Sequence, residues 1–213
     1  MKKIFYSLCI CCCVISATAQ SSRYIAAMEE NVAPLDSVSS MDSLQILSNN
    51  FQRIAEAEKS AWLPYYYAGY CQALIAYMEM DMNKVDGYAD QAAIFAAKAD
   101  SLSPNNSEVL CLKSMVASAR IKVDPMTRGM QYGMQSGQDL QKAETLDPAN
   151  PRVYLLEGEG KFYTPAAYGG GKAAAKPLLQ EAVDKYGSFK PKSDIDPRWG
   201  EAQATQLLAQ CSQ

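Results

Sequence analysis

Apolar residues recur at three- and four-residue intervals along most of this chain, with polar residues between them. Leu44, Leu47, Phe51 and Ile54 mark one helical face, and Leu63, Tyr67, Tyr70, Leu74 and Tyr77 a second. Val85, Tyr88, Ala92, Phe95, Ala99 and Leu102 mark a third. The series continues through Val109, Leu112, Val116 and Ala119, then Val153, Leu156, Gly160 and Tyr163, and closes on Leu178, Ala182 and Tyr186. Such spacing puts the apolar positions on one stripe of an α-helix, and no segment shows the two-residue alternation of a half-buried strand. The pattern predicts an all-α fold of about eight helices.

Helix starts are written into the breaks. Asp124-Pro125 and Asn150-Pro151 each set a capping side chain before a proline at the first helical position, where its missing N–H costs nothing. Asn106, with Glu108 in the next turn, does the same. The predicted connections are short, as between stacked antiparallel helices.

One internal repeat is visible. Lys98–Leu112 (KADSLSPNNSEVLCL) lies over Lys142–Leu156 (KAETLDPANPRVYLL) without a gap, with seven identities in fifteen positions and a period of 44. Ala99 and Ala143 are small where helices approach closely. Leu102 and Leu146 are expected to plug the turn, the prolines to stop one helix, and Asn106 and Asn150 to start the next. The pattern A-x-x-L-x-P-x-N before an amphipathic helix resembles the tetratricopeptide repeat, a unit built as a helical hairpin. The resemblance covers most of Leu44 to Cys211, with a stretched period and only Trp62, Tyr66 and Gly69 left of the first-helix signature. It implies a TPR-like α-solenoid of about four helical hairpins with a C-terminal capping helix, pinned by Trp199, and a concave surface suited to holding a protein segment or small ligand. The run from Phe162 to Pro191, with DPRWGEAQATQLLAQC after it, also resembles the closing part of exported repeat proteins of Bacteroidota-type bacteria.

Export is expected from the start of the chain. Lys2 and Lys3 precede an apolar stretch from Ile4 to Ile15 and an A-x-A arrangement at Ala17 and Ala19, the plan of a cleaved signal peptide over 1–19. A polar lead-in over 20–40 and a helical repeat domain over 41–213 follow. No segment is long and apolar enough to span a bilayer, so the mature chain is expected to be periplasmic or secreted. Losing Lys2 and Lys3 takes the formal charge from −3 to −5, a balance that argues against nucleic-acid binding. Four of the seven cysteines leave with the leader; Cys71, Cys111 and Cys211 are expected to be small core residues without a disulfide framework.

The chain has no histidine, which excludes histidine-based triads, general bases and metal sites. Tyr163-Thr-Pro-Ala-Ala-Tyr-Gly-Gly-Gly-Lys172 is the most distinctive loop. It fails the P-loop pattern, because Ala166 replaces its first glycine and Ala173 its hydroxyl. The expectation is a turn whose glycines take positive φ while Tyr163 and Tyr168 pack, with a small-anion site beside Lys172 as the alternative. Met126, Met130 and Met134 recur every four residues, as do Gly129, Gly133 and Gly137. Three interior glycines cost a helix roughly 3 kcal/mol, which points to a tight core seam; a soft surface for a partner helix or apolar ligand is the alternative. Tyr67, Tyr70 and Tyr77 share a core face, whereas Tyr65 and Tyr66 point elsewhere; core or hairpin packing is the expectation for this aromatic run, with a groove that Tyr65 and Tyr66 line as a peptide or ligand platform the alternative. The calcium-loop likeness after Asp81 fails because Gly87 falls one place late and Ala92 stands where glutamate is required.

The function expected from this sequence is a non-catalytic exported scaffold or adaptor. It would bind a protein or peptide partner in the cell envelope, or a small ligand, through Tyr65, Tyr66, Met130, Tyr163, Tyr168 and Lys172. No metal and no cofactor are expected. The alternative is a ligand-delivery component of a tripartite (TRAP-type) envelope transport system, whose repeat proteins the chain also resembles near Pro165.

Overall fold

The structure, a computed structural model, describes residues 22–212, so the expected leader lies outside the described residues. Among these, nine α-helices and no strands occur: α1 Ser22–Val32, α2 Met41–Glu58, α3 Trp62–Met78, α4 Met82–Leu102, α5 Ser107–Ile121, α6 Pro125–Leu146, α7 Pro151–Tyr163, α8 Lys172–Ser188 and α9 Glu201–Cys211. The all-α expectation holds. Within the polar lead-in, α1 buries Tyr24, Met28 and Val32, a small apolar face that its charged neighbours hide in the sequence.

The capping residues stand where the sequence puts them. Asn106 accepts from Glu108 N at 2.9 Å, Asp124 from Thr127 N at 3.2 Å and Asn150 from Arg152 N at 3.0 Å. Each satisfies a backbone donor that the first helical turn leaves open. Ala99 and Ala143 are fully buried. Leu102 and Leu146 are exposed instead of plugging the turns. Their place is taken by a polar seal, in which buried Asn150 donates to Ser107 Oγ at 3.0 Å and Glu108 Oε1 at 2.8 Å.

Each helix from α1 to α9 packs on its successor or lies next to it, and α3–α5, α5–α7 and α7–α9 also pack together. The backbones of the even helices α2, α4, α6 and α8 stay apart from one another, and α4 and α6 are bridged by the Arg128–Asp86 side-chain ion pair. The odd helices therefore form a continuous layer, and the even ones stand on it as separate ridges. This explains the composition: α3 and α5 are buried around most of their circumference, whereas α2 and α6 bury one stripe.

Short connections make consecutive helices antiparallel, which gives the stack two ends. One end carries the turns leading into α3, α5 and α7. There the segment from Phe189 to Gly200 crosses the N-terminal turns of those helices as a strap. Tyr67 OH donates to Ile195 O at 2.8 Å, Trp199 Nε1 to Tyr66 OH at 2.8 Å, and Tyr186 OH to Trp199 O at 2.9 Å. Trp199 stacks on Tyr70 with ring centroids 4.8 Å apart. Beneath the strap Arg152 is 0% exposed, its Nε 2.7 Å from Glu108 Oε2 and its Nη2 2.6 Å from Glu108 Oε1. Glu108 and Arg152 occupy the same position in successive repeats, 44 residues apart. The repeat interface is thus closed by a two-point ion pair.

Candidate functional site

Ridges on a continuous floor leave grooves between them. The groove of α2 and α4 over α3 has a volume of about 490 Å³, and that of α4 and α6 over α5 about 420 Å³. The latter is charged, with Lys113 Nζ 3.1 Å from Asp100 and Lys142 on the opposite ridge. The other flank of α6, toward α8, differs in kind.

Its orientation follows from observed contacts. Arg128 Nη1 lies 2.8 Å from Asp86, which turns that side of α6 toward α4, and Ser136 Oγ lies 2.7 Å from Ser114 Oγ on α5. At about 100° per residue, Met126, Met130 and Met134 with Gly133 and Gly137 fall on the opposite flank, on the side of α8. The methionines are 84%, 81% and 60% exposed. A Cβ built at Gly129, Gly133 or Gly137 would meet no atom within 4 Å. The tight core seam expected for these stripes is not formed. Helix α6 has 22 residues and α7 only 13, so at 1.5 Å per residue α6 overhangs its neighbour by about 13 Å. One repeat earlier, Asp86 and Asp90 hold Arg120 at the end of α5, whereas α7 stops at Tyr163, short of an equivalent.

Antiparallel packing brings the start of α6, the end of α7 and the start of α8 to the end of the stack opposite the strap. Met130, Tyr163, Tyr168 and Lys172 therefore gather at one end. Tyr163 is 69% and Tyr168 73% exposed rather than packed, and Lys172 is exposed. Their loop is fixed by its backbone: Gly171 N donates to Lys161 O at 2.8 Å, and Gly169 and Gly171 take φ of 79° and 89° as expected. Gly170 is pressed so closely against Thr164 that no side chain fits there.

Tyr65 and Tyr66 lie at the strapped end. Tyr66 is fully buried beneath Trp199 and cannot line a groove, because the strap covers the face it points to; Tyr65 is half-buried. Burial pushes the Tyr66 phenol well above its ordinary range. Gly133, Gly137 and Met134 belong to the open flank, and the same four-residue stripe that flagged Met130 marks them in the sequence.

Two carboxyls of α7 face different neighbours, Glu157 toward Glu144 and Glu181, and Glu159 toward Gln203. Burial, then Glu144 and Glu181, raises the Glu157 carboxyl, and burial pushes Glu159 up to about 7, opposed by the 2.9 Å hydrogen bond from Gln203. Cys71, Cys111 and Cys211 are free; burial raises the Cys71 and Cys111 thiols, which makes them inert. Among the described residues no His, Cys, Asp and Glu group is arranged to hold a metal ion, and no helix is long and apolar enough to cross a membrane. The open α6 flank presents exposed methionines beside glycines with open space around them.

No family model matches the chain, and no curated protein matches it in sequence. Among solved structures it is similar to the HusA haemophore from Porphyromonas gingivalis, with 39% sequence identity and a TM-score of 0.81. The match covers 90% of this chain and 94% of that one. At that identity over nearly the whole of both chains, the protein belongs to the family of the HusA haemophore.

Proposed function

We propose that this protein is an exported, non-catalytic carrier that binds haem as cargo, with the open flank of α6 and the neighbouring α7–α8 loop as the binding surface. The observation that carries this reading is the 39% identity to a haemophore over almost its full length. The flank suits such cargo. Methionine thioethers adapt to a flat ring, and bare glycines at 133 and 137 leave no knob to hold it off. Tyr163 and Tyr168 offer further apolar area, and the Lys172 ammonium can meet a carboxylate at the edge of the ring. Without histidine, the groups of this surface able to meet the iron are the methionine thioethers, the tyrosine phenols and the Lys172 amine. The period of 44 and the alternation of floor and ridge helices support a TPR-like repeat scaffold for this surface.

The test is a haem titration of the mature protein, followed by the Soret band. Wild type is expected to saturate, and Gly133→Leu/Gly137→Leu, which fills open space, to bind at least about tenfold more weakly. Ala97→Leu, in the charged α4–α6 groove, is expected to bind like wild type. Absence of a Soret change with wild type, or equal affinity in the double variant, would refute the proposal.

A further inference from the structure

The groove of α2 and α4 over α3 has a lining unlike its neighbour's. At its floor stands Gln72, a polar side chain only 4% exposed. A buried amide needs an account of its hydrogen bonds. Gln72 Nε2 donates to Ser48 Oγ at 2.9 Å and to Gln45 Oε1 at 3.2 Å; Gln45 Nε2 in turn donates to Asn49 Oδ1 at 2.9 Å. Ser48 Oγ donates to Ala68 O at 3.1 Å. This relay fixes which end of each amide faces which way. The relay uses Gln72 Nε2 and leaves Gln72 Oε1 outside it, as an acceptor on a side chain that lines the groove.

The remaining open valences surround it. Asn49 keeps its N–H groups, and the Gln91 amide and Tyr88 hydroxyl on the facing ridge make no side-chain hydrogen bond among the described residues. Tyr88 and Phe95 supply aromatic surface, and Gly87 opens the wall, with nothing within 4 Å of a Cβ placed there. The charged residue of the lining, Lys84, sits beside Asp81 at 3.8 Å. Neutral amides offering fixed donors and acceptors, beside aromatic faces and without net charge, match a ligand that is uncharged, rich in hydroxyls and apolar on its C–H face.

We infer that the α2–α4 groove is a binding site for a neutral saccharide of about disaccharide size. Vicinal hydroxyls bridge Gln72 Oε1 and the amides of Asn49 and Gln91, while the C–H face of a ring lies on Tyr88. The site is separate from the α6 flank and does not rest on the haem reading.

Isotope-labelled protein titrated with maltose, cellobiose, lactose and N,N′-diacetylchitobiose tests it by NMR. At least one sugar is expected to shift the Gln72 and Gln91 side-chain amide signals saturably by about 10 mM. Gly87→Trp, which fills the groove from an open position, is expected to weaken that response at least tenfold while leaving haem titration unchanged. Gln72→Val, which removes the floor amide, is expected to keep the fold and lose the response at the Gln91 signal. The inference is overturned if none of the four sugars shifts those signals, or if Gly87→Trp responds like wild type.

Discussion

Replacing Glu108 by methionine strands a guanidinium that the fold hides completely. Arg152 is 0% exposed and makes two short bonds to Glu108, at 2.6 and 2.7 Å. Beyond Glu108 it has one long hydrogen bond, from Nη1 to Trp199 O at 3.4 Å, and two ring faces, the Phe189 centroid at 4.6 Å and that of Trp199 at 5.7 Å. Burial alone would loosen the guanidinium's hold on its proton, and Glu108, with Tyr66 and Tyr186 behind it, more than reverses this. Removing one partner of such a pair costs about 3–5 kcal/mol, because the surviving charge stays buried without compensation. For a chain of this size that corresponds to a fall in Tm of about 6–20 °C. Arg152→Met should cost less, since the Glu108 side chain is 16% exposed and keeps the Asn150 donor at 2.8 Å. The double variant, methionine at both positions, should return to within about 2 kcal/mol of wild type, because no lone charge remains. Urea and thermal denaturation of all four proteins at pH 7, followed by circular dichroism, close the cycle. A Glu108→Met variant within about 1 kcal/mol of wild type, or a double variant less stable than either single one, would show that the pair does not close the repeat interface.

Asp139→Leu should stabilise the protein by about 1–2 kcal/mol, because Asp139 Oδ2 is buried without a hydrogen bond where the preceding repeat has Phe95; a lowered melting temperature would count against this. Glu159→Gln should flatten the pH dependence of stability. The folded carboxyl holds its proton up to about 7, so wild-type stability falls as pH rises from the ordinary glutamate range through 7; unfolding free energies from pH 4 to 8 that run parallel for the two proteins would contradict it. Gly200→Ala should cost about 2–4 kcal/mol, since Gly200 has φ of 111° and a Cβ there would run into the Tyr186 hydroxyl and lie 2.7 Å from Leu155 Cδ2. A tryptophan emission and melting temperature equal to wild type would refute that.

Helix class, helix starts and the repeat were legible because each rests on local chemistry: Asn106, Asp124 and Asn150 cap wherever their neighbours allow helix. Burial was harder to read. Met130 and Tyr66 both carry apolar bulk at helical spacing, yet one points to solvent and the other is sealed. What separates them is not local: α7 stops too soon to cover Met130, and a strap more than a hundred residues downstream covers Tyr66. The Glu108–Arg152 pair was hidden for the same reason, since alignment of the repeats shows the two residues as a mismatch rather than as partners. Met130, Tyr163, Tyr168 and Lys172 share one end of the molecule because of helix direction, which the sequence carries only through the count of helices between them.

The strap has a kinetic meaning as well. Three phenols of α3 each have a partner about 130 positions later, besides nearer ones such as Phe51 and Glu108, so a polypeptide emerging N-terminus first leaves Tyr66, Tyr67 and Tyr70 without their cover until nearly all of it is out. Final consolidation is then a last-residue event, and a chain cut before Ile195 would remain loose at the very helix around which the rest is assembled.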